Sequence, residues 1–297
     1  MGMIINPYVF GVAQSYLLDT YSGAAAAYSL RKLSSTYTGN AIRVRRSSDN
    51  TEQNIGFDSN GNLDETALTT FVGANNGFVT TWYDQSGNSK DATQTTAANQ
   101  PQIVTSGVVN LKNGKPCVSF NGTSFRMQTS AISWGTSFTF TGVFDPIRPS
   151  SGYSKLYQIG NDTSTGSYAF TTFAGITQLD WSLDDSLVFG NGYNTSSYPR
   201  IISNGKILNN NIQYTTFISL NSSSSNFYKN NTEISYRIQQ PANSVSASMI
   251  LYLGSSEGLN GYQYFQGNIQ EVIFYASNQS SNRTGINSNI NTFYSIY

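Results

Sequence analysis

The chain has 297 residues, 38% of them hydrophobic and 13% aromatic, but only 11% charged, well under the roughly 25% of an average domain. Sixteen basic residues balance 16 acidic ones and there is no histidine, which removes the electrostatic case for nucleic acid or an anionic membrane and every triad or metal site that needs imidazole. With one cysteine, Cys117 in KPCVSF, no internal disulfide can form; the thiol reads as buried in a strand, and the fold must stand on its core.

Residues 1–19 (MGMIINPYVFGVAQSYLLD) place Ile4, Ile5, Tyr8, Val9 and Phe10 around Asn6-Pro7. The stretch is too short for a domain. It reads either as an edge strand of the main domain or as a docking arm covered by a partner subunit, because exposed apolar termini need a surface to bury them. Pro7 interrupts it, no basic segment precedes it, and nothing approaches the roughly 20 apolar residues of a membrane span. Neither a secretion leader nor a span is therefore expected, and the domain proper is placed at residues 20–297.

Residues 24–33 (AAAAYSLRKL) combine strong helix formers with Arg31-Lys32 where the helix dipole favours cations, predicting a helix stopped at Thr38-Gly39. Residues 41–46 (AIRVRR) alternate as a half-exposed strand, whose Arg43, Arg45 and Arg46 form either a solvated face or a ligand-facing row. Residues 53–57 continue the sheet, and residues 58–61 (DSNG) make a turn. A second short helix is predicted over 63–72, with Asn62 as N-cap and Asp64-Glu65 in its first turn.

Residues 78–104 open as an aromatic-rich strand around Trp82 and break at Asp84-Gln85-Ser86-Gly87-Asn88, where Gly and Asn suit a turn. They resume as a strand over 102–104. Strand-sized pieces follow at short spacing: 108–111, 115–120, 125–128, 138–144, 156–159, 168–173, 178–183, 187–189, 200–203, 214–220, 226–229, 234–238, 249–253 and 264–275. Asn-Gly pairs at 113–114, 121–122, 191–192 and 204–205 signal hairpins. From about Ser281, the spacing of Ile286, Ile290, Phe293 and Tyr294 predicts a C-terminal helix. The whole reads as all-β, a sandwich or jelly roll with short helices in its N-terminal half.

Glycans are held by aromatic faces together with amide, hydroxyl and carboxylate groups. The best local cluster of that kind is Trp181 beside Asp180, Asp184 and Asp185, with Glu257 further on; Asp184-Asp185 also fits a plain turn. Trp82, inside a strand, reads as core packing. No calcium-loop pattern is present, and no cofactor or metal is expected. Asp49, Asp58, Asp84 and Asp91 read as turn residues.

The combination AYSLRKL, AIRVRRSSDN, TTWYDQSGN, DATQ, QPQIV and NGKPCVSFNG, with MILYLGSSEGLNGYQYFQGNIQEVIFY before the Asn-rich helix, resembles the catalytic domain of α-L-arabinofuranosidase B and related laminin-G-like modules. The resemblance implies a concanavalin-A-like jelly-roll β-sandwich. It also implies an acid aspartate just after the Leu-Gly of the penultimate strand, where this chain carries Ser255, with Glu257 the nearest carboxylate. The family's nucleophile glutamate belongs to the middle region, where Asp162, Asp180, Asp184, Asp185 and Glu233 are available. The family's bonded cysteine pair has no counterpart here.

Modules with this signature also resemble bacteriophage tail, fibre and capsid-decorating proteins. The expectation is therefore a non-catalytic virion structural or adhesion protein, homo-oligomeric, docked to other subunits through residues 1–19 and able to contact glycans. The alternative is a divergent arabinofuranosidase-like glycoside hydrolase using Glu257 and one of Asp180, Asp184 or Asp185. A third reading is a carbohydrate-binding domain separated from its parent enzyme.

Overall fold

The structure, a computed structural model, describes residues 16–134, 137–147, 153–160, 170–177, 186–191, 200–203, 214–220, 225–238, 248–256 and 263–297. Strand pairing is antiparallel and runs in two arms. In the first, strands Thr232–Glu233, Ser225–Lys229, Tyr214–Leu220, Phe138–Pro146 and Gln266–Tyr275 lie side by side. Ala24–Ser29 and Val118–Asn121 share the far edge of strand 266–275. The second arm runs Glu52–Ile55, Ile42–Arg46, Gly77–Trp82, Ala92–Thr93, Met127–Gln128, Ser248–Leu253, Tyr153–Gly160, Phe170–Thr177, Ser186–Asn191, Arg200–Ser203 and Tyr236–Ile238. Strand Gln102–Thr105 joins the arms by pairing with both 118–121 and 77–82.

The sandwich core forms where inward residues of the two arms meet. Phe140, Tyr157 and Phe274 pack with ring centroids 4.6, 5.2 and 5.0 Å apart, and Trp82 lies 6.1 Å from Tyr28. Side chains alternate along a strand, so the neighbours of Phe274 face the other way. Ile273 and Tyr275, with Ala27 and Val143, form a second cluster against helix α1 (Leu17–Thr20) and the C-terminal helix α3 (Arg283–Tyr294). Of the four periodic residues, Ile286, Ile290 and Tyr294 are buried there, with Asn287 beside them, and Phe293 is half-buried. Leu17 and Leu18 are buried in the same cluster.

Two local expectations are corrected. Residues 24–29 form a strand, not a helix. Ala26 packs into the sandwich core and Ala27 under α3, both fully buried. Alanine is used here for its size between two layers, and tertiary packing overrides its helix propensity. The second helix, α2, begins at Glu65 and ends at Val72; its N-cap is Asp64, whose Oδ1 accepts from the Ala67 N–H at 2.8 Å. Asn62 instead belongs to the preceding turn, where its own N–H is bound by Asp58 Oδ1 at 2.8 Å.

The Asn113-Gly114 hairpin has positive φ at both residues (48° and 71°), as such a two-residue turn requires. Asn230-Asn231 makes another turn of this kind, at 47° and 62°, and carries no glycine to announce it. The pairs at 191–192 and 204–205 extend outside the described residues.

Candidate functional site

The Asp84–Asn88 loop is a clasp on the edge strand. Asp84 Oδ1 accepts from the Ala27 and Ser86 N–H groups, both at 2.9 Å, while Oδ2 accepts from Ser86 Oγ at 2.7 Å and the Lys90 N–H at 3.0 Å. Gln85 Oε1 takes the Leu33 N–H at 2.8 Å, and its Nε2 donates to the Ser29 and Arg31 carbonyls. Asn88 Nδ2 donates to the Ala24 and Ala25 carbonyls. Strand 24–29 pairs on one side with strand 266–275, and these side chains satisfy backbone groups beyond that ladder. Asp91, which accepts the Asp84 N–H at 2.9 Å, has its pKa raised by burial and by the neighbouring Asp84 charge. The signature is thus structural: its polar atoms are committed to holding the sheet edge.

The tryptophans at 82 and 134 are also structural. Both are buried, and Trp134 Nε1 donates to the Met249 carbonyl at 3.3 Å. The three arginines of strand 42–46 form no shared ligand row. Arg43 pairs with Glu52 and Arg46 with Asp49, each at 2.6 Å. Arg45 is buried, with Nε donating to Gln100 Oε1 and its guanidinium 4.9 Å from the Phe78 ring. Among the described residues, no group of three His, Cys, Asp or Glu could hold a metal ion.

Two buried charged clusters escaped the sequence reading. Arg31 makes a two-pronged pair with the fully buried Glu271, at 2.7 and 2.9 Å, while Nη1 donates to Asn289 Oδ1. The Ser29 and Tyr294 hydroxyls complete the carboxylate's shell. Across the same outer face, Asp145 accepts from Lys112 Nζ and Asn268 Nδ2, both at 3.1 Å, and its other oxygen has no hydrogen-bond partner among the described residues. Burial raises the Asp145 pKa above the ordinary aspartate value. Burial, helped by Asp145, pushes the Cys117 thiol up to about 12. The signal available was an acid inside an apolar strand, Glu271 in NIQEVIFY and Asp145 in FTFTGVFDP, because acids are almost never buried unless paired.

Ser255 is fully buried, with no hydrogen-bond partner for Oγ among the described residues. A hydroxyl so placed cannot protonate a leaving group. The candidate residues Asp180, Trp181, Asp184, Asp185 and Glu257 lie outside the described residues, as do Asp162 and the docking residues Ile4, Ile5, Tyr8, Val9 and Phe10. Glu233 is described; it is exposed in strand 232–233 of the first arm.

Strand register nevertheless fixes where the chain departs toward the acidic residues. Leu253 pairs with Tyr157, Tyr153 with Thr177, and Thr177 with Ser186. Strands 248–253 and 170–177 both run antiparallel to strand 153–160, which lies between them. Strand 170–177 finishes beside Tyr153, where strand 153–160 begins, whereas strand 248–253 finishes beside Tyr157, four residues further in and about 13 Å along the strand. Their axes are two strand spacings apart, about 10 Å.

Residues 19–124 match the family described as Alpha-L-arabinofuranosidase B, catalytic. Among solved structures, a GH54 α-L-arabinofuranosidase soaked with a cyclic sulfate inhibitor is 18% identical, with a TM-score of 0.63 over 92% of this chain and 64% of that one. An arabinofuranosidase complexed with arabinofuranosyl-α-1,2-xylobiose gives 18% and 0.62 over the same shares. The binding domain of Paraclostridial Mosquitocidal Protein 1 gives 14% and 0.51, over 71% of this chain and 49% of that one. The fold is shared. The chain spans 64% of the length of these arabinofuranosidases, and no curated protein sequence matches it.

Proposed function

We propose that the chain is an arabinofuranosidase-like glycoside hydrolase domain, whose reacting carboxyl groups are Glu257 and one of Asp180, Asp184 or Asp185. The observation that carries this reading is the match of residues 19–124 to the arabinofuranosidase B catalytic family on a sandwich of the same fold. Retaining hydrolysis places two carboxyl groups about 5 Å apart and inverting hydrolysis about 6.5–9.5 Å, and the segments that carry residues 180–185 and 257 must bring their carboxyl groups within that range. Trp181 supplies the apolar wall of the site, and the acid role moves two residues on from Ser255 to Glu257.

A second reading, a non-catalytic glycan-binding or assembly protein, is favoured by Ser255, buried at the position where the resemblance expects the acid. In that reading Ile4, Ile5, Tyr8, Val9 and Phe10 dock the sandwich to another subunit, in a virion or otherwise. The comparisons concern arabinofuranosidases and the binding domain of a mosquitocidal protein and supply no support for a virion setting. They therefore favour the hydrolase.

A crystal structure with arabinofuranosyl-xylobiose bound separates the two readings. The hydrolase reading expects the arabinose between Glu257 and a carboxyl of residues 180–185 at a separation below about 9.5 Å. Carboxyl groups more than about 12 Å apart, beyond either mechanism, overturn it.

A further inference from the structure

We propose that the flank beside α3 is a binding groove for a neutral oligosaccharide, lined by residues other than the proposed carboxyl pair. Three hollows lie there, the second sharing a lining residue with each of the others. The first, about 540 Å³, is walled by Tyr21 and Phe293, with Arg31, Ser288, Asn289 and Thr20 around them. The second, about 250 Å³, adjoins it across Phe293 and is lined by Asn62, Asp64, Glu65, Thr66 and Lys115. The third, about 360 Å³, meets the second at Asp58 and is lined by Tyr16, Lys32, Tyr37, Asn40 and Phe57. Aromatic faces at intervals, with amides and hydroxyls between them, are what a chain of pyranose or furanose rings needs.

The charge balance selects the class of ligand. Arg31, Lys32 and Lys115 line the hollows against Asp58, Asp64 and Glu65, so the groove presents no net field. Four of these six charged groups are also committed locally. Arg31 is paired with Glu271 and lies 4.9 Å from the Phe293 ring, and Lys115 lies 4.2 Å from that ring. Asp58 holds the N–H groups of Asn60 and Asn62, and Asp64 caps α2. A polyanion would need an excess of cations that this surface lacks; a neutral polyol needs fixed donors and acceptors, which it has.

The groove is pre-formed. Tyr21 crosses α3 at Gly285, where a Cβ would come within 1.7 Å of its hydroxyl oxygen, so the absence of a side chain at 285 is what lets the ring stand as a wall. The Tyr275 hydroxyl holds the Tyr21 carbonyl at 2.9 Å. Preorganisation of this kind lowers the ordering cost of binding. The inference needs no hydrolysis, since none of the groove residues belongs to the proposed carboxyl pair.

The test is titration of the whole chain with xylotetraose, arabinotetraose and cellotetraose, with tetragalacturonate as the anionic control, read by NMR shift changes and calorimetry. At least one neutral tetramer should shift residues 16–66 and 283–294 and bind at least tenfold more tightly than tetragalacturonate. Ser288→Trp and Thr66→Trp fill the first two hollows from exposed positions, and each should weaken that binding at least tenfold with an unchanged unfolding midpoint. The proposal is overturned if no neutral tetramer shifts these residues, if both tryptophan variants bind as wild type does, or if tetragalacturonate binds as well. Binding in the groove with no arabinose release from arabinofuranosyl-α-1,2-xylobiose sinks the hydrolase reading alone; arabinose release without binding in the groove sinks this inference alone.

Discussion

Replacing Asp84 by alanine tests the claim that the 84–88 loop is architecture. The side chain is buried and accepts four hydrogen bonds, from the N–H groups of Ala27, Ser86 and Lys90 and from the Ser86 hydroxyl. The Ala27 N–H is buried on the core side of the clasp, and leaving it without an acceptor costs about 1–3 kcal/mol. Ser86 and Lys90 are half-buried and recover part of their loss from water, adding roughly 0.5–1 kcal/mol each. The sum is about 3 kcal/mol, which for a domain of this size lowers the melting temperature by roughly 6–10 °C. Urea unfolding followed by the fluorescence of Trp82, fully buried beside Tyr28, should show the midpoint falling with the slope unchanged. Asp84→Asn keeps one acceptor oxygen and should lie between wild type and alanine. A D84A protein within about 1 kcal/mol of wild type would refute the clasp.

Three further outcomes follow from the buried charges. Glu271→Ala strands the Arg31 guanidinium in the interior and should cost about 3–5 kcal/mol, while an Arg31→Met/Glu271→Leu double variant should recover most of it, because removing both charges removes the desolvation penalty; urea unfolding reads both. Cys117, buried with its pKa pushed up to about 12, should resist thiol reagents in the native protein and react within the unfolding time once urea is added; rapid native labelling would contradict its placement. Asp145 has a raised folded-state pKa, so the native state holds its proton longer than the unfolded chain does. Its contribution to stability is fully present below the ordinary aspartate pKa near 4 and is lost as pH rises through the folded value. Unfolding free energies across that window should therefore fall less steeply with pH in Asp145→Asn than in wild type; equal slopes would contradict the assignment.

Much of the sandwich is legible in the chain itself. The Asn113-Gly114 turn and the α3 spacing of Ile286, Ile290 and Tyr294 are local signals, and each appears in the structure where its chemistry places it. The misread stretch, residues 24–29, fails for a non-local reason. Four alanines specify a helix only when nothing packs on them, and here strand 266–275, the 84–88 clasp and α3 all do. Asn62, the N-cap its position suggests, is already engaged by Asp58, and Asp64 caps α2 instead. The functional surface is harder to read. The Arg31–Glu271 pair joins residues 240 positions apart, and the groove beside α3 draws its walls from residues 16–66, 114–116 and 285–294. No window of sequence contains either. Ser255 is the exception, since its identity alone weighs against the family's acid at that position, and its burial agrees.

In the proposed function, this sandwich cleaves a glycosidic bond with a carboxyl pair that includes Glu257. Initial rates of arabinose release from arabinofuranosyl-α-1,2-xylobiose, whose sugar leaving group needs a proton to depart, for wild type and Glu257→Gln side by side, test it most directly. The account predicts release by the wild type and a loss of at least about 100-fold in kcat for the variant, the usual range for removing a general acid. A wild type without measurable release, or a Glu257→Gln variant as fast as wild type, would contradict it.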